Sequence, residues 1–188
     1  GPEFRPPPGR KLMAQGCSAD WMYVNVWYII GPFPNPNREN LDKEFPPETE
    51  IDLDATYLGK DGRKLNWVYR QSGRMCIAPH VADKYAIWYA FTEVFADREQ
   101  ERFCIFGSDD YGKVWVNGKL VITSQKQPIH WFPDQRLKLI RFHKGYNKVL
   151  VRWDNGGGTT GFSLCICTLD FIKPKPGSLL PVETEERQ

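Results

Sequence analysis

Asp109 and Asp110 stand side by side in the stretch Phe106-Gly-Ser-Asp-Asp-Tyr111. Glycoside hydrolysis sets its two carboxyl groups about 5–9 Å apart across a cleft, which an adjacent pair does not supply. At a strand end an Asp also caps a turn through its own backbone, so a metal-free, turn-forming role is one reading of the pair. His80, His130 and His143 are scattered, with no HExxH or other tight metal spacing. There is no Gly-x-Ser-x-Gly elbow, no P-loop and no dinucleotide fingerprint. The chain is therefore expected to be non-catalytic. Trp131 lies in the polar segment from Ser124 to Gln135, beside His130 and Phe132. A loop tryptophan can stack on the apolar face of a pyranose, or fold back with Phe132 as a lid.

Five cysteines, Cys17, Cys76, Cys104, Cys165 and Cys167, make an odd count that fits no zinc pattern. Cys165 and Cys167 are two apart on an apparent strand, so they share a face and do not easily chelate one metal together. Cys104 sits in an apolar run and reads as a buried free thiol. One disulfide among the five stays open, and with it the redox compartment.

The elements that must position these residues are strands. The 188 residues are 41% hydrophobic and 14% aromatic, with 16 Gly and 15 Pro, which predicts a turn-rich, mainly β chain. From Ala82 to Phe103, Tyr85, Ile87, Tyr89, Phe91 and Phe95 fall on one parity and Trp88, Ala90, Val94 and Ala96 on the other, the pattern of a strand buried on both faces. Val24, Val26, Tyr28 and Ile30 alternate up to a turn expected at Gly31-Pro32. Leu65 to Tyr69 forms a short strand whose Trp67 and Tyr69 read as core, as do Trp115 and Trp153. Asn117-Gly118 between Lys113–Val116 and Lys119–Thr123 is a strong hairpin signal, because both turn residues accept positive φ. Further strands are expected at Arg102–Phe106, Leu137–Phe142, Lys148–Trp153 and Gly161–Asp170. In the fourth run Val149, Val151 and Trp153 point one way, Lys148 and Arg152 the other. Eight to ten strands with short connections predict one antiparallel β-sandwich or jelly roll.

Three of these segments, in order, carry a resemblance. Phe106 to Val121 resembles the signature strand pair of protective-antigen-like β-sandwich domains, which occur in toxins, glycosidases and adhesin lectins. Phe142-His-Lys-Gly-Tyr-Asn-Lys-Val-Leu-Val-Arg-Trp153 resembles their next strand, and Asp154-Asn-Gly-Gly-Gly-Thr-Thr-Gly-Phe162 their glycine-rich loop. The sugar-binding jelly rolls of β-galactosidase-type glycosidases share the Val-Trp-Val-Asn-Gly-Lys element. The resemblance spans about Trp21 to Phe171. It implies that Asp109 and Asp110, joined by a cis peptide, ligate Ca²⁺, which binds sugar hydroxyls. Asn155 can add a further oxygen, and Gly156 to Gly158 can bring backbone carbonyls close. His130 and Trp131 complete the expected ligand-binding set. The alternatives at this point are a structural Ca²⁺ without sugar, a metal-free turn, and a spacer or protein-binding module without either ligand.

Charge excludes other classes. With 25 Lys+Arg against 23 Asp+Glu the net charge is +2, too even for a nucleic-acid surface, and no apolar run reaches a membrane-spanning length. Residues 1–20 read as a cloning scar, Gly1-Pro-Glu-Phe4, and a Pro-rich linker. Residues 21–172 read as the sandwich, and 173–188 as an acidic, Pro-containing tail. The expected setting is a larger secreted, periplasmic or cell-surface protein, with glycan or polysaccharide and neighbouring domains as partners.

Overall fold

A computed structural model describes residues 10–12, 21–167 and 183–184 of the chain. The expected domain limits at 20 and 172, and Cys17, lie outside the described residues. Two large sheets face one another. One runs β10 (Lys119–Thr123), β9 (Gly112–Val116), β12 (Gly145–Asn155), β7 (Ala86–Ala96), β3 (Val26–Pro34), β6 (Val68–Gln71), with β1 (Arg10–Leu12) parallel to the end of β7. The other runs β14 (Glu183–Thr184), β11 (Arg136–Phe142), β8 (Gln100–Asp109), β13 (Gly161–Cys167), β2 (Trp21–Tyr23). A separate hairpin pairs β4 (Thr56–Leu58) with β5 (Lys64–Asn66). Nearly all pairing is antiparallel. The described residues hold no α-helix, only 3₁₀ turns at Pro36–Arg38, Pro46–Glu48 and Lys60–Gly62. The chain folds as an all-β, antiparallel sandwich.

Alternation places the core. From β7, Ala86, Trp88, Ala90, Val94 and Ala96 enter the space between the sheets, meeting Val149, Val151 and Trp153 of β12 and Phe162, Leu164 and Ile166 of β13. The opposite parity of β7, Ile87, Tyr89 and Phe91, is also buried, in a second cluster with Ile30, Phe33, Phe45, Leu65, Trp67 and Leu150. Both parities of this central strand thus meet a core, as the period-two pattern predicts. The hairpin forms where expected, with Asn117 at φ 51° and Gly118 at φ 81°.

Three local expectations change. Gly31-Pro32 does not end its strand. β3 continues through Pro34, with a cis Gly31–Pro32 bond and a register irregularity between Ile30 and Phe33. Ala82 to Phe103 divides into β7 and β8. Trp67 is buried but Tyr69 is exposed, because the expected strand breaks at Trp67 into β5, which pairs with β4, and β6, which pairs with β3, and the shared face is lost. Arg152, on the parity opposite Val149, Val151 and Trp153, is nonetheless 2% exposed, because the segment after β3 folds over that side of the sheet.

That segment is held by Arg152 itself. Its guanidinium donates to Glu48 Oε2 at 2.5 Å, to Tyr89 Oη at 3.0 Å, to the carbonyls of Asn40 and Leu41 at 2.6 and 2.9 Å, and to the carbonyl of Lys43. The same guanidinium lies 5.6 and 5.7 Å from the ring centroids of Phe45 and Tyr89. A buried guanidinium is tolerable only with its donors met in this way.

Candidate functional site

β8 ends at Asp109 and β12 ends at Asn155, and both ends lie at the same end of the sandwich. Asp109 pairs with Gly161 at the start of β13, and Asn155 with Ala86 at the start of β7. Asp110 lies between β8 and β9, and the Asp109–Asp110 peptide is cis. The two aspartates and Asn155 are therefore assembled from two facing sheets. Both aspartates are buried.

Asp110 joins two loops. Its Oδ1 accepts the N–H of Ile129 at 3.0 Å and its Oδ2 accepts the N–H of Gly156 at 2.9 Å. Its own N–H donates to the Asp154 carbonyl at 2.6 Å, and its carbonyl accepts Ser108 Oγ at 2.7 Å. The Asp109 carbonyl accepts the Thr160 hydroxyl. Burial pushes the Asp109 carboxyl up to about 6, and the adjacent Asp110 carboxylate pushes the same way, against a smaller opposing pull from His130. His130 is exposed.

Asn155 is 1% exposed. Its amide nitrogen donates to the carbonyls of Asp83 at 2.7 Å and Gly158 at 3.1 Å. Its Oδ1 is buried and has no hydrogen-bond partner. Such an atom costs about 1–3 kcal/mol unless something satisfies it. A cation is one such partner, and oxygen atoms are the ligands that Ca²⁺ takes. Two carboxylates and one amide oxygen are oxygen donors of the kind that ion takes. Among the described residues no group of three or more His, Cys, Asp or Glu is placed to hold a metal, so any site here depends on amide and backbone oxygen.

The loop from Ser124 to Gln135 lies against β8. Gln135 grips it by accepting the Ser108 N–H at 3.0 Å while donating to the carbonyls of Ser108 and His130 at 2.9 and 3.0 Å. Trp131 turns inward, donating its indole N–H to Ser163 Oγ at 2.9 Å, and is half-buried. Phe132 beside it is 56% exposed. The loop thus presents Phe132 and His130 to solvent, whereas Trp131 belongs to its attachment. Gly107 permits this contact, because a Cβ there would fall 1.8 Å from the Phe132 carbonyl oxygen.

Three neighbours were not legible as site residues. Asp154, 2% exposed, accepts the Tyr111 N–H at 2.7 Å, Asn35 Nδ2 at 3.1 Å and Arg38 Nε at 2.9 Å, and so fixes the start of the glycine-rich loop. Cys76 lies close enough to Asp109 to feel its charge, and burial with that charge pushes its thiol up to about 11. Tyr85 donates its N–H to the Gly156 carbonyl at 3.2 Å. Asp154 and Cys76 sit in runs with ordinary strand or loop readings, and Tyr85 was assigned to a buried parity. The four described cysteines, Cys76, Cys104, Cys165 and Cys167, are free. Cys104 is buried as expected, and the Cys165 and Cys167 sulfurs lie 3.6 Å apart on their shared face.

No protein-family model and no curated sequence matches this chain. Among solved structures it is similar to β-glucosidase from Kluyveromyces marxianus in complex with glucose, at 15% identity and TM-score 0.47, over 78% of this chain and 17% of that one. It is similar to the PA14 domain of the MpAFP antifreeze protein, at 16% identity and TM-score 0.40, over 81% of this chain and 68% of that one. It is also similar to a family 35 carbohydrate binding module from Clostridium thermocellum, at 16% identity and TM-score 0.31, over 50% and 89%. At these identities and TM-scores the likenesses carry nothing about ligand or activity. No described helix is long and apolar enough to cross a membrane.

Proposed function

We propose that this sandwich is a non-catalytic carbohydrate-binding module of a larger secreted or cell-surface protein, and that Asp109, Asp110 and Asn155 hold a calcium ion at its binding end. The observation that carries the reading is the buried, unpartnered Asn155 Oδ1, in the residue next to Gly156, whose N–H the buried Asp110 carboxylate accepts. The resemblance of the three motif segments supports the same residues. Bound Ca²⁺ would supply open coordination positions that vicinal sugar hydroxyls can fill. The chain's own residues do the rest. Asp110 ties the two loops to one carboxylate, Gln135 holds the His130 loop in place, and the glycine-rich loop brings carbonyls near.

The competing reading is a metal-free turn in a spacer or protein-binding module. It is favoured by the two backbone N–H groups that Asp110 already accepts. Calorimetric titration with CaCl₂, melting with and without chelator, and a glycan array in calcium and in chelator separate the two. The proposal expects calcium binding, a higher melting temperature with calcium, and glycan signals that chelator abolishes. Absence of calcium uptake together with an unchanged melting temperature would rule the metal out and leave the spacer reading.

A further inference from the structure

Resting on that proposed function, we infer that residues 72–85 form the ligand-selecting wall of the site and that the Tyr85 ring is its stacking platform for the apolar face of a pyranose.

The segment is tied to the binding end at successive points. Ile77 exchanges backbone hydrogen bonds with Phe162, at 2.6 and 3.1 Å. Cys76 packs over the start of β13, with its sulfur 2.7 Å from where a Gly161 Cβ would stand. The Val81 carbonyl accepts the Trp88 indole N–H at 3.1 Å. The Asp83 carbonyl accepts the Asn155 amide at 2.7 Å, while its carboxylate takes Lys60 at 3.1 Å and Arg63 at 2.7 Å. Tyr85 closes the series. Its N–H donates to Gly156, and its carbonyl accepts the Asn35 N–H at 3.0 Å. Gly156 is the residue whose own N–H Asp110 accepts. One glycine therefore joins the Tyr85 backbone to the acidic pair.

The segment exposes apolar side chains beside Arg74 and Lys84. Met75, Val81 and Tyr85 are 41%, 42% and 39% exposed. Tyr85 has φ 47°. A bulky residue in the left-handed region is uncommon and costs about 1–3 kcal/mol, so it persists where the surroundings hold it. Here the two backbone bonds to Gly156 and Asn35 do so. Its ring was expected on the buried parity of the strand, yet it is exposed, and its backbone is bonded to Gly156, the residue after Asn155. Across the acidic pair, the opposite loop presents Phe132 and His130. A flat ring with an apolar face and C–H edges, bound through hydroxyls at the acidic pair, matches an aromatic on the flank.

The test uses the whole chain and two substitutions. Tyr85→Gly removes the ring and accepts the positive φ. Tyr85→Phe keeps the ring and removes the hydroxyl. Calcium affinity and melting temperature are measured by calorimetry for each. Glycan binding is measured on a printed array of pyranose-terminated glycans, then by titration with the methyl glycoside of the sugar bound best. The expected result is about tenfold weaker sugar binding for Tyr85→Gly, sugar binding close to that of the unaltered chain for Tyr85→Phe, and unchanged calcium affinity in both. Sugar binding by Tyr85→Gly equal to that of the unaltered chain overturns this inference and leaves the proposed function standing. Loss of calcium and sugar together in Tyr85→Gly also overturns it, since Tyr85 would then only support the loop. Failure of the unaltered chain to bind any printed glycan in calcium removes the proposed function, and this inference with it.

Discussion

Asp109 concentrates the electrostatics of the binding end. It is buried, it adjoins a second carboxylate, and its carboxyl is raised to about 6 from 3.8. In the unfolded chain the burial is lost and Asp110, still next in sequence, is solvated and no longer held in place, so the carboxyl falls back toward its ordinary range. Between pH 4 and about 6 the folded, calcium-free protein therefore binds more protons at this position than the unfolded chain does. Linkage then makes stability fall as pH rises through that window. We expect Asp109→Asn to raise the melting temperature of the chelator-treated protein more at pH 7 than at pH 4. Thermal melts at the two pH values check this, and an equal or larger gain at pH 4 would mean that the charge on Asp109 is not the cost. The adjacent pair was legible in the sequence because it is local. The orphaned Asn155 Oδ1 was not, because it depends on Asp83 and Gly158 taking the amide nitrogen while nothing meets the oxygen.

At the scale of elements, two loops meet at one carboxylate. The Ser124–Gln135 loop bonds Asp110 through Ile129, and the glycine-rich loop does so through Gly156. The first loop rests on β8 where Gly107 leaves room for the Phe132 carbonyl. A Gly107→Ala methyl cannot share that space, and the contact is backbone, so the loop itself must move. The expected outcome is destabilisation of about 1–3 kcal/mol, with weaker calcium binding as Ile129 leaves Asp110. Urea denaturation and calorimetry read both. Unaltered values in the two measurements would show that the loop does not depend on this contact. Alternation in the sequence located the strands and the Asn117-Gly118 hairpin. It failed at Gly31-Pro32, where an irregular stretch of strand carried a turn signal, and at Trp131 and Phe132, where the hydroxyl of Ser163, 32 residues away, decides which ring turns inward.

At the scale of the molecule, the sandwich has a second core outside its main one. Phe33, Phe45, Leu65, Trp67, Ile87 and Tyr89 pack under the segment that follows β3, and Arg152 fastens that segment from below. Arg152→Ala would leave Glu48, Tyr89 and three backbone carbonyls without their shared donor. We expect a loss of about 3–5 kcal/mol and faster proteolytic cleavage between residues 35 and 67. Equilibrium denaturation and limited proteolysis measure these, and stability within experimental error of the unaltered chain would refute the fastening role. Tyr85 and Phe132 stay exposed outside both cores.

The sequence by itself determined the all-β class, the double-sided burial of β7, the hairpin and the acidic pair, because each depends on neighbours a few residues apart or on strict alternation. Tertiary structure decided the rest. It buried Arg152, turned Trp131 inward and left Phe132 outside. It also bonded the Tyr85 backbone to Gly156 and brought the Gly156 N–H to Asp110. These outcomes depend on residues distant in the chain satisfying one another's buried polar groups, and no local pattern records which partner each group will find.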